Sequence, residues 1–410
     1  MAPTHSQDVK RRLNVILVAP LFPPMPGGGS THPFYLARAL GSLRGVRVHV
    51  IAPEPHLPFG DKHWVDARRV NIHRVASRTD LGKVPFGQFL EKALRIYARI
   101  TSREGFSEHE ALVAHGQHWA GVFVAMHLKH RFDVPMVATL HKTPVGGALG
   151  ETTRDTDASY CHFTWLATWP INAFVAGSEF FQAELRQQAP AARVELIRHG
   201  VPPRWLRGQA TSEARRRVWQ RLGTDPDTEL ILCPVRWDPR KRVPDFVNAA
   251  GIVLSELPGR KLKFLITAEI NEEERSKLMR RAQEVGIADH LLLQQLPFED
   301  VPAVFAVSRL VVVPTEREGL GISVLEAMAL RKPVVATDAE GIREIVRHEN
   351  DGYLYAAGEA DHLAQIMLKL LRDPAHSGHL GDQGHAKVSV RFSDVAMAAA
   401  HEYLYRSLLP

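Results

Sequence analysis

Short apolar runs rich in β-branched residues alternate with helical stretches from one end of this chain to the other. In the first half the runs are Asn14–Ala19, Val46–Ala52, Val70–Val75, Ala111–Ala114, Met136–His141, Ala173–Gly177 and Arg193–Ile197. In the second half they are Glu229–Val235, Leu262–Thr267, Leu291–Leu293, Leu310–Pro314 and Pro333–Thr337. Strands this short and this continuously apolar are buried on both faces, as in parallel sheets covered by helices. Their alternation with helices argues for βαβ units. The chain has 410 residues, enough for two domains of ordinary size. Each half holds enough strands for its own doubly wound sheet. The break falls between Gly200 and Asp227, where Gly200-Val201-Pro202-Pro203 gives way to a charged helical stretch, Ser212–Leu222, and a polar turn. The expected division is 1–205, 206–391 and a final helix within 392–410, with Ser393 as its N-cap.

Composition excludes several classes. With 45% hydrophobic and 23% charged residues, the chain has apolar material for two cores and no signature of disorder. No apolar run reaches the roughly 18 residues of a membrane span. The stretch after Lys10, Arg11 and Arg12 reads as a first strand rather than a leader, because a Pro-Gly loop and a helix follow it. Two cysteines far apart, Cys161 and Cys233, fit a reducing cytoplasm and no disulfide framework. The net charge of +6 is compatible with nucleic acid, an anionic membrane surface or phosphorylated ligands. No nucleic-acid motif accompanies it. The basic residues from Arg68 to Arg78 leave room for peripheral membrane contact.

Three loops could hold a phosphate. The first strand runs into Pro23-Pro24-Met25-Pro26-Gly27-Gly28-Gly29-Ser30 ahead of a helix carrying Tyr35, Leu36, Ala37 and Leu40. Glycines there let a ligand approach the backbone, and a helix N-terminus favours an anion. The glycines do not fit the dinucleotide fingerprint. Arg236-Trp237-Asp238-Pro239-Arg240-Lys241-Arg242 follows the first strand of the second half, at the strand end that opens onto the crevice of a parallel sheet. Cations there can stabilise a leaving diphosphate. The third string, Pro314 to Ala329, leaves a strand, carries Glu318 and two glycines in a loop, and enters a helix. Glu326 stands about two helical turns beyond Glu318, so both carboxylates can occupy one cleft at different depths.

Together these strings resemble the retaining glycosyltransferases of family 4, which have the GT-B fold of two Rossmann-like domains facing across a cleft. Pro23 to Leu40 is similar to the family's Pro-Pro, Gly-Gly and Leu-Ala pattern, with the paired glycines at Gly27 and Gly28. His199-Gly200-Val201 is similar to its Asn-Gly-Val. Arg236 and Lys241 match its Arg and Lys, with Arg242 where a glycine usually follows. Glu318 to Glu326 matches its Glu-x7-Glu, and Lys332-Pro333, Gly341, Glu344-Ile345-Val346 and Asn350-Asp351-Gly352 follow in order.

The resemblance implies roles. Arg236 and Lys241 would contact the donor diphosphate, with Gly27 and Gly28 bordering it from the opposite domain. Glu318 would hold hydroxyls of the transferred sugar beside the amides of Gly319, Leu320 and Gly321. Glu326 would bind the nucleotide ribose, Leu296 would lie in the base-binding segment, and His141 would stand near the reacting sugar. His32, His115 and His118 are candidates on the acceptor side, the last two equally for structure. The final helix would cross back onto the first domain. The expected activity is transfer of a hexose-type sugar from a nucleotide-diphosphate donor, a UDP-sugar first and GDP-mannose second, to a small-molecule or lipid-linked hydroxyl acceptor. No metal and no cofactor are expected. Two loops depart from the family, Thr267-Ala268-Glu269 and Gln294-Gln295, each where a glycine is usual near the nucleotide.

Other strings carry less. Asp155-Thr156-Asp157 spells a metal–nucleotide motif but does not end an apolar strand, and the pairs His115/His118 and His127/His130 lack a third ligand. Tyr160, Phe163, Trp165 and Trp169 suit an acceptor pocket or a core. A nucleotide-sugar epimerase, a nicotinamide enzyme and a non-catalytic nucleotide-sugar-binding protein are the alternative readings. Oligomeric state leaves no trace in the sequence.

Overall fold

The computed structural model describes residues 12–25, 27–54, 69–75, 86–104, 110–141, 169–207, 210–268 and 270–410. The described strands form two parallel sheets. The first contains β1 (Arg12–Val18), β2 (Val46–Pro53), β3 (Val70–Val75), β4 (Glu110–Gln117), β5 (Met136–Thr139), β6 (Ala173–Ala176) and β7 (Val194–Leu196), in the order β3-β2-β1-β4-β5-β6-β7. The second contains β8 (Glu229–Cys233), β9 (Leu262–Ile266), β10 (Leu291–Leu293), β11 (Ser308–Val313), β12 (Val334–Thr337) and β13 (Tyr353–Tyr355), in the order β10-β9-β8-β11-β12-β13. In each sheet the order reverses beside the first strand, which creates a crevice at the carboxyl ends.

Every apolar run of the sequence is a strand, with ends shifted by one or two residues as fraying allows. Two differences bear on function. β4 runs on to Gln117 rather than stopping at Ala114, which carries His115 and Gln117 into the sheet. β13 was not foreseen. Its three residues, Tyr353-Leu354-Tyr355, follow Asp351-Gly352 and pair with β12.

Both sheets are covered on both faces. One apolar cluster lies over the outer face of the first sheet, around Ile16, Ile51, Ala114, Met136 and Phe174. Another covers the outer face of the second, around Ile231, Phe246, Phe264 and Met367. The largest cluster is continuous between the two, joining Leu13, Val15 and Tyr35 to Val311, Leu325 and Met328. The two domains therefore share apolar packing as well as a cleft.

The chain's last helix, Asp394–Ser407, packs on the first helix, Gly28–Ser42. Ser393 caps it, accepting from the N–H groups of Val395 and Ala396. Its entry is pinned beside Gly200, where an added Cβ would lie 2.5 Å from the Asp394 backbone. The Val201 N–H donates to the Phe392 carbonyl at 2.9 Å. Glycine at 200 is thus required by close approach. Among the described residues no helix is long and apolar enough to cross a membrane.

Candidate active site

The carboxyl ends of β1 and β8 face each other. Gly27 closes the loop after β1 at φ 101°, a conformation glycine tolerates. A Cβ built on it would stand 3.7 Å from Arg236 Cδ, so the first glycine loop meets the basic loop of the second domain across the cleft. Gly28 lies against Ile322 at the start of the helix Ile322–Ala329. At Gly29 a Cβ would fall 2.7 Å from the His118 ring, whose Nε2 donates to the Gly29 carbonyl at 3.1 Å. The third glycine of the run is therefore a packing requirement of His118.

On the opposite wall Lys241 Nζ donates to Glu318 Oε2 at 2.5 Å. The Gly319 N–H donates to Glu318 Oε1 at 3.2 Å. Gly341 presses on this loop from behind. Its N–H donates to the Glu318 carbonyl at 3.1 Å, and a Cβ there would lie 2.2 Å from the Gly319 carbonyl oxygen. The Gly319 backbone in turn lies close to the carbonyl of His141, 3.3 Å from its own Cβ position. Gly27, Gly28, His141, Arg236, Lys241, Glu318, Gly319 and Gly321 therefore line one cleft. Arg236 stays 46% exposed, with Asp238 as a loose partner at 3.9 Å. Arg242 holds a left-handed backbone of the kind glycine adopts readily, φ 43°. Its guanidinium grips Asp245 with two bonds of 3.0 Å, which offset that strain.

The first-domain wall is lined with imidazoles. His141 lies 4.3 Å from His118, 5.1 Å from His32 and 5.8 Å from His199 between ring centroids. His32 and His199 are in contact at 3.8 Å. Burial, reinforced by neighbouring rings, holds His32 and His141 well below the usual imidazole range and takes His199 down to about 3. Neutral, mostly buried rings thus back the first-domain wall.

Two acceptor-side candidates are placed elsewhere. His32 is 1% exposed and neither ring nitrogen has a hydrogen-bond partner, so it backs the wall instead of facing a ligand. His115 is fully buried in β4, bonded to Thr139, Gln117 and Tyr405. Only His118 of the three remains partly open. Leu320 is also buried, so only its backbone can serve a ligand, whereas Leu296 is half-buried beside the core.

Glu326 departs from expectation in a different way. Its Oε1 accepts a 2.7 Å hydrogen bond from the hydroxyl of Tyr35, across the domain boundary. Burial raises its carboxyl to about 7, against the opposing pull of the Tyr35 bond and Arg204. Tyr35 thus occupies one of its two carboxylate oxygens. Nearby, Phe34 and Phe298 meet edge to face at 5.3 Å, and Glu344 accepts from the N–H groups of Glu179 and Phe180 at the start of a first-domain helix. These contacts join the two domains.

Sequence reasoning missed Tyr35, Gln117, Arg204 and Tyr405. Gln117 could have been found, because two residues beyond His115 on a strand is the same face. The others face partners more than a hundred positions away. Among the described residues no group of three or more His, Cys, Asp or Glu is arranged to hold a metal. Asp155, Asp157, Cys161, Tyr160, Phe163 and Trp165 lie outside the described residues; Trp169 packs on Phe123 at 5.2 Å. Of the Arg68–Arg78 group, Arg69 and Arg74 are described. Both are spent on backbone carbonyls, of Leu43 for Arg69 and of Pro23 and Pro53 for Arg74.

Two facing doubly wound domains, with an Arg–Lys loop opposite a glycine loop, define a glycosyltransferase of the GT-B type. The profile described as Glycosyltransferase Family 4 matches residues 26–205, and that described as Glycosyl transferases group 1 matches residues 215–387. The chain belongs to the family 4 glycosyltransferases. It is 26% identical over 398 residues to the GDP-mannose-dependent alpha-(1-6)-phosphatidylinositol monomannoside mannosyltransferase of Mycobacterium tuberculosis, covering 94% of this chain and 96% of that one. The match to EpsD of Bacillus subtilis, at 25% identity, spans 56% of this chain and 59% of that protein. In fold it is similar to sucrose-phosphate synthase from Thermosynechococcus elongatus, with a TM-score of 0.77, 22% identity and coverage of 97% and 99%. The same holds for HepE of Anabaena, solved in complex with UDP-glucose, with a TM-score of 0.71, 17% identity and coverage of 96% and 99%.

Proposed function

We propose that this glycosyltransferase moves a hexose-type sugar from a nucleotide-diphosphate donor to a hydroxyl acceptor, with retention at the anomeric carbon and without a metal. The observation that carries the reading is the facing of Gly27 by Arg236, with Lys241 bound to Glu318 beside it. Arg236 and Lys241 supply positive charge where a diphosphate leaves, and the Gly27–Gly28 loop admits its oxygens to the backbone. Glu318, neutralised by Lys241, is placed to accept from sugar hydroxyls. The bond from the anomeric carbon to the diphosphate breaks, the acceptor oxygen attacks from the same face, and its proton passes to a phosphate oxygen. His141 borders the reacting sugar. Domain closure excludes water that would hydrolyse the donor.

A UDP-sugar is the first donor and GDP-mannose the second. HepE was solved with UDP-glucose, and the mycobacterial relative is named for GDP-mannose. The acceptor is a small molecule or a lipid-linked hydroxyl. The test is a thermal-shift panel of nucleoside diphosphates and nucleotide sugars with and without chelator, followed by product analysis. Ligand binding to the native state raises the melting temperature. A shift with one base, unchanged by chelator, and an α-linked product from an α-linked donor support the reading. Donor consumed without acceptor would instead identify an epimerase, and no shift at all a protein that does not use these donors. Arg236→Ala should lower kcat about a hundred- to thousandfold, as losing one oxyanion donor does.

A further inference from the structure

Two helices that start at the cleft, one from each domain, meet a second time away from the glycine loop. Gly28 of the first helix lies against Ile322 at the start of the helix Ile322–Ala329. Tyr35 stands two turns beyond Gly28 and Glu326 one turn beyond Ile322, so each shares a face with that first contact. There the Tyr35 hydroxyl donates to Glu326 Oε1 at 2.7 Å. Both side chains are buried, and Arg204, on the short helix Pro203–Leu206, lies near enough to act on both groups. Glu326 Oε2 makes no hydrogen bond to the described residues, and the residue keeps 6% of its surface exposed. One oxygen of this carboxyl is committed across the domain boundary and the other is left for a ligand.

We propose that Tyr35 is a positioning residue for the nucleoside of the donor: by holding Glu326 Oε1 from the first domain, it fixes Oε2 for the ribose hydroxyls. The proposal rests on the reading of the cleft as a nucleotide-diphosphate donor site. Helix geometry carries the rest. Gly28 and Ile322 border the diphosphate loop, and Glu326 lies about 6 Å farther along the axis, four residues at about 1.5 Å each. That is the scale of the separation between a nucleotide's phosphate and its ribose hydroxyls. Helical side chains lean toward the helix N-terminus, which brings the carboxyl back toward the phosphate end. A carboxylate oxygen is an acceptor, and a vicinal diol offers it two donors.

The Tyr35 hydroxyl does two things for that second oxygen. A glutamate side chain turns about several bonds, and pinning one oxygen fixes the direction of the other. The bond also favours the ionised carboxyl, which burial pushes up to about 7 even with Tyr35 and Arg204 pulling it down. Without the hydroxyl the carboxyl takes a proton more readily, and a ribose hydroxyl meets a neutral acceptor. A hydrogen bond to a charged acceptor is roughly twice as strong as one to a neutral acceptor. A phenylalanine at position 35 keeps the ring between the helices and removes only this bond. Recognition of the ribose thereby depends on a residue of the opposite domain.

The test varies protein and ligand together, in the full chain. Titration calorimetry measures UDP against 2′,3′-dideoxy-UDP, and GDP against 2′,3′-dideoxy-GDP, on native, Tyr35→Phe and Glu326→Gln protein. For the base that binds, native protein should prefer the ribose form about ten- to a hundredfold, the worth of a hydrogen bond to a charged group. Tyr35→Phe should shrink that preference about three- to tenfold, the worth of one ordinary hydrogen bond. The whole change should lie in weaker binding of the ribose form, with the dideoxy form bound as native protein binds it. Glu326→Gln should shrink the preference at least as far. A merely structural Tyr35 would weaken both forms alike, and that result overturns the proposal. If Glu326→Gln removes the preference while Tyr35→Phe keeps it, Glu326 holds the ribose and the role of Tyr35 falls. If native protein shows no preference, or binds neither base, the ribose site itself falls and the proposal with it. Should Tyr35→Phe not fold, Tyr35→Leu removes the same hydroxyl and is scored on the same preference.

Discussion

The Glu326 carboxyl shows how a residue can be legible in type and misread in state. Its position in the Glu-x7-Glu string announced a carboxylate in the cleft, and the helix Ile322–Ala329 delivers it there. Its partner was not readable, because Tyr35 reaches it from another domain at a separation of 291 residues. Burial raises its pKa from 4.5 to about 7. The folded state therefore holds this proton more tightly than the unfolded chain, and the associated stability is present below about pH 4.5 and lost as pH rises to about 7. Replacing the group by its neutral isostere removes the dependence. Urea titrations of native and Glu326→Gln protein should diverge by the order of 3 kcal/mol between pH 4.5 and 7, from that shift. Parallel curves would show that Glu326 ionises as it does in water. Arg242 makes a complementary case. The sequence shows only a missing glycine, whereas the structure shows the left-handed backbone retained and secured by Asp245.

At the scale of elements the strands were legible because burial on both faces writes an apolar run that needs no partner to be recognised. One helix cap, Ser393, was legible from its local string. Ser393→Ala should lower the unfolding free energy by about 1 kcal/mol, the usual worth of an N-cap, measured from urea midpoints. The loops were less so. That Gly341 matters could be read from its string, but not why. It packs directly on the carbonyls of Glu318 and Gly319, and its own Cβ would displace them. Gly341→Ala should therefore leave far-ultraviolet circular dichroism intact while lowering kcat about a hundredfold, the scale of a 1 Å misplacement. A variant with full turnover would mean that this loop adjusts freely. β4 illustrates the limit of run-counting. His115, Gly116 and Gln117 are not apolar, yet pairing with β1 and β5 keeps them in strand conformation and brings His115 to Thr139 and Tyr405 and Gln117 to His141.

Across the whole molecule the histidines dominate the response to acid. Burial holds His32, His115 and His141 well below 6.5, takes His199 to about 3 and His401 to about 4. Below pH 6.5 the unfolded chain takes protons that the native state refuses, so stability is full above 6.5 and falls as pH drops toward those native values. Glu326 and Asp394, raised to about 7 and about 6, act the other way over part of this range but are outnumbered. The melting temperature should accordingly fall steeply between pH 6.5 and 4.5, each buried imidazole adding up to about 1.4 kcal/mol per pH unit. A flat profile there would mean that the histidines are hydrated in the native state. What the sequence by itself determined was the pair of doubly wound sheets and the enzyme class, because these rest on local periodicity and on strings contiguous in the chain. Only the tertiary structure decided that Glu326 meets Tyr35 and that His115 meets Tyr405, at separations of 291 and 290 residues. Such meetings depend on how two rigid domains close on each other and where the last helix lands, and no local pattern of side chains encodes that.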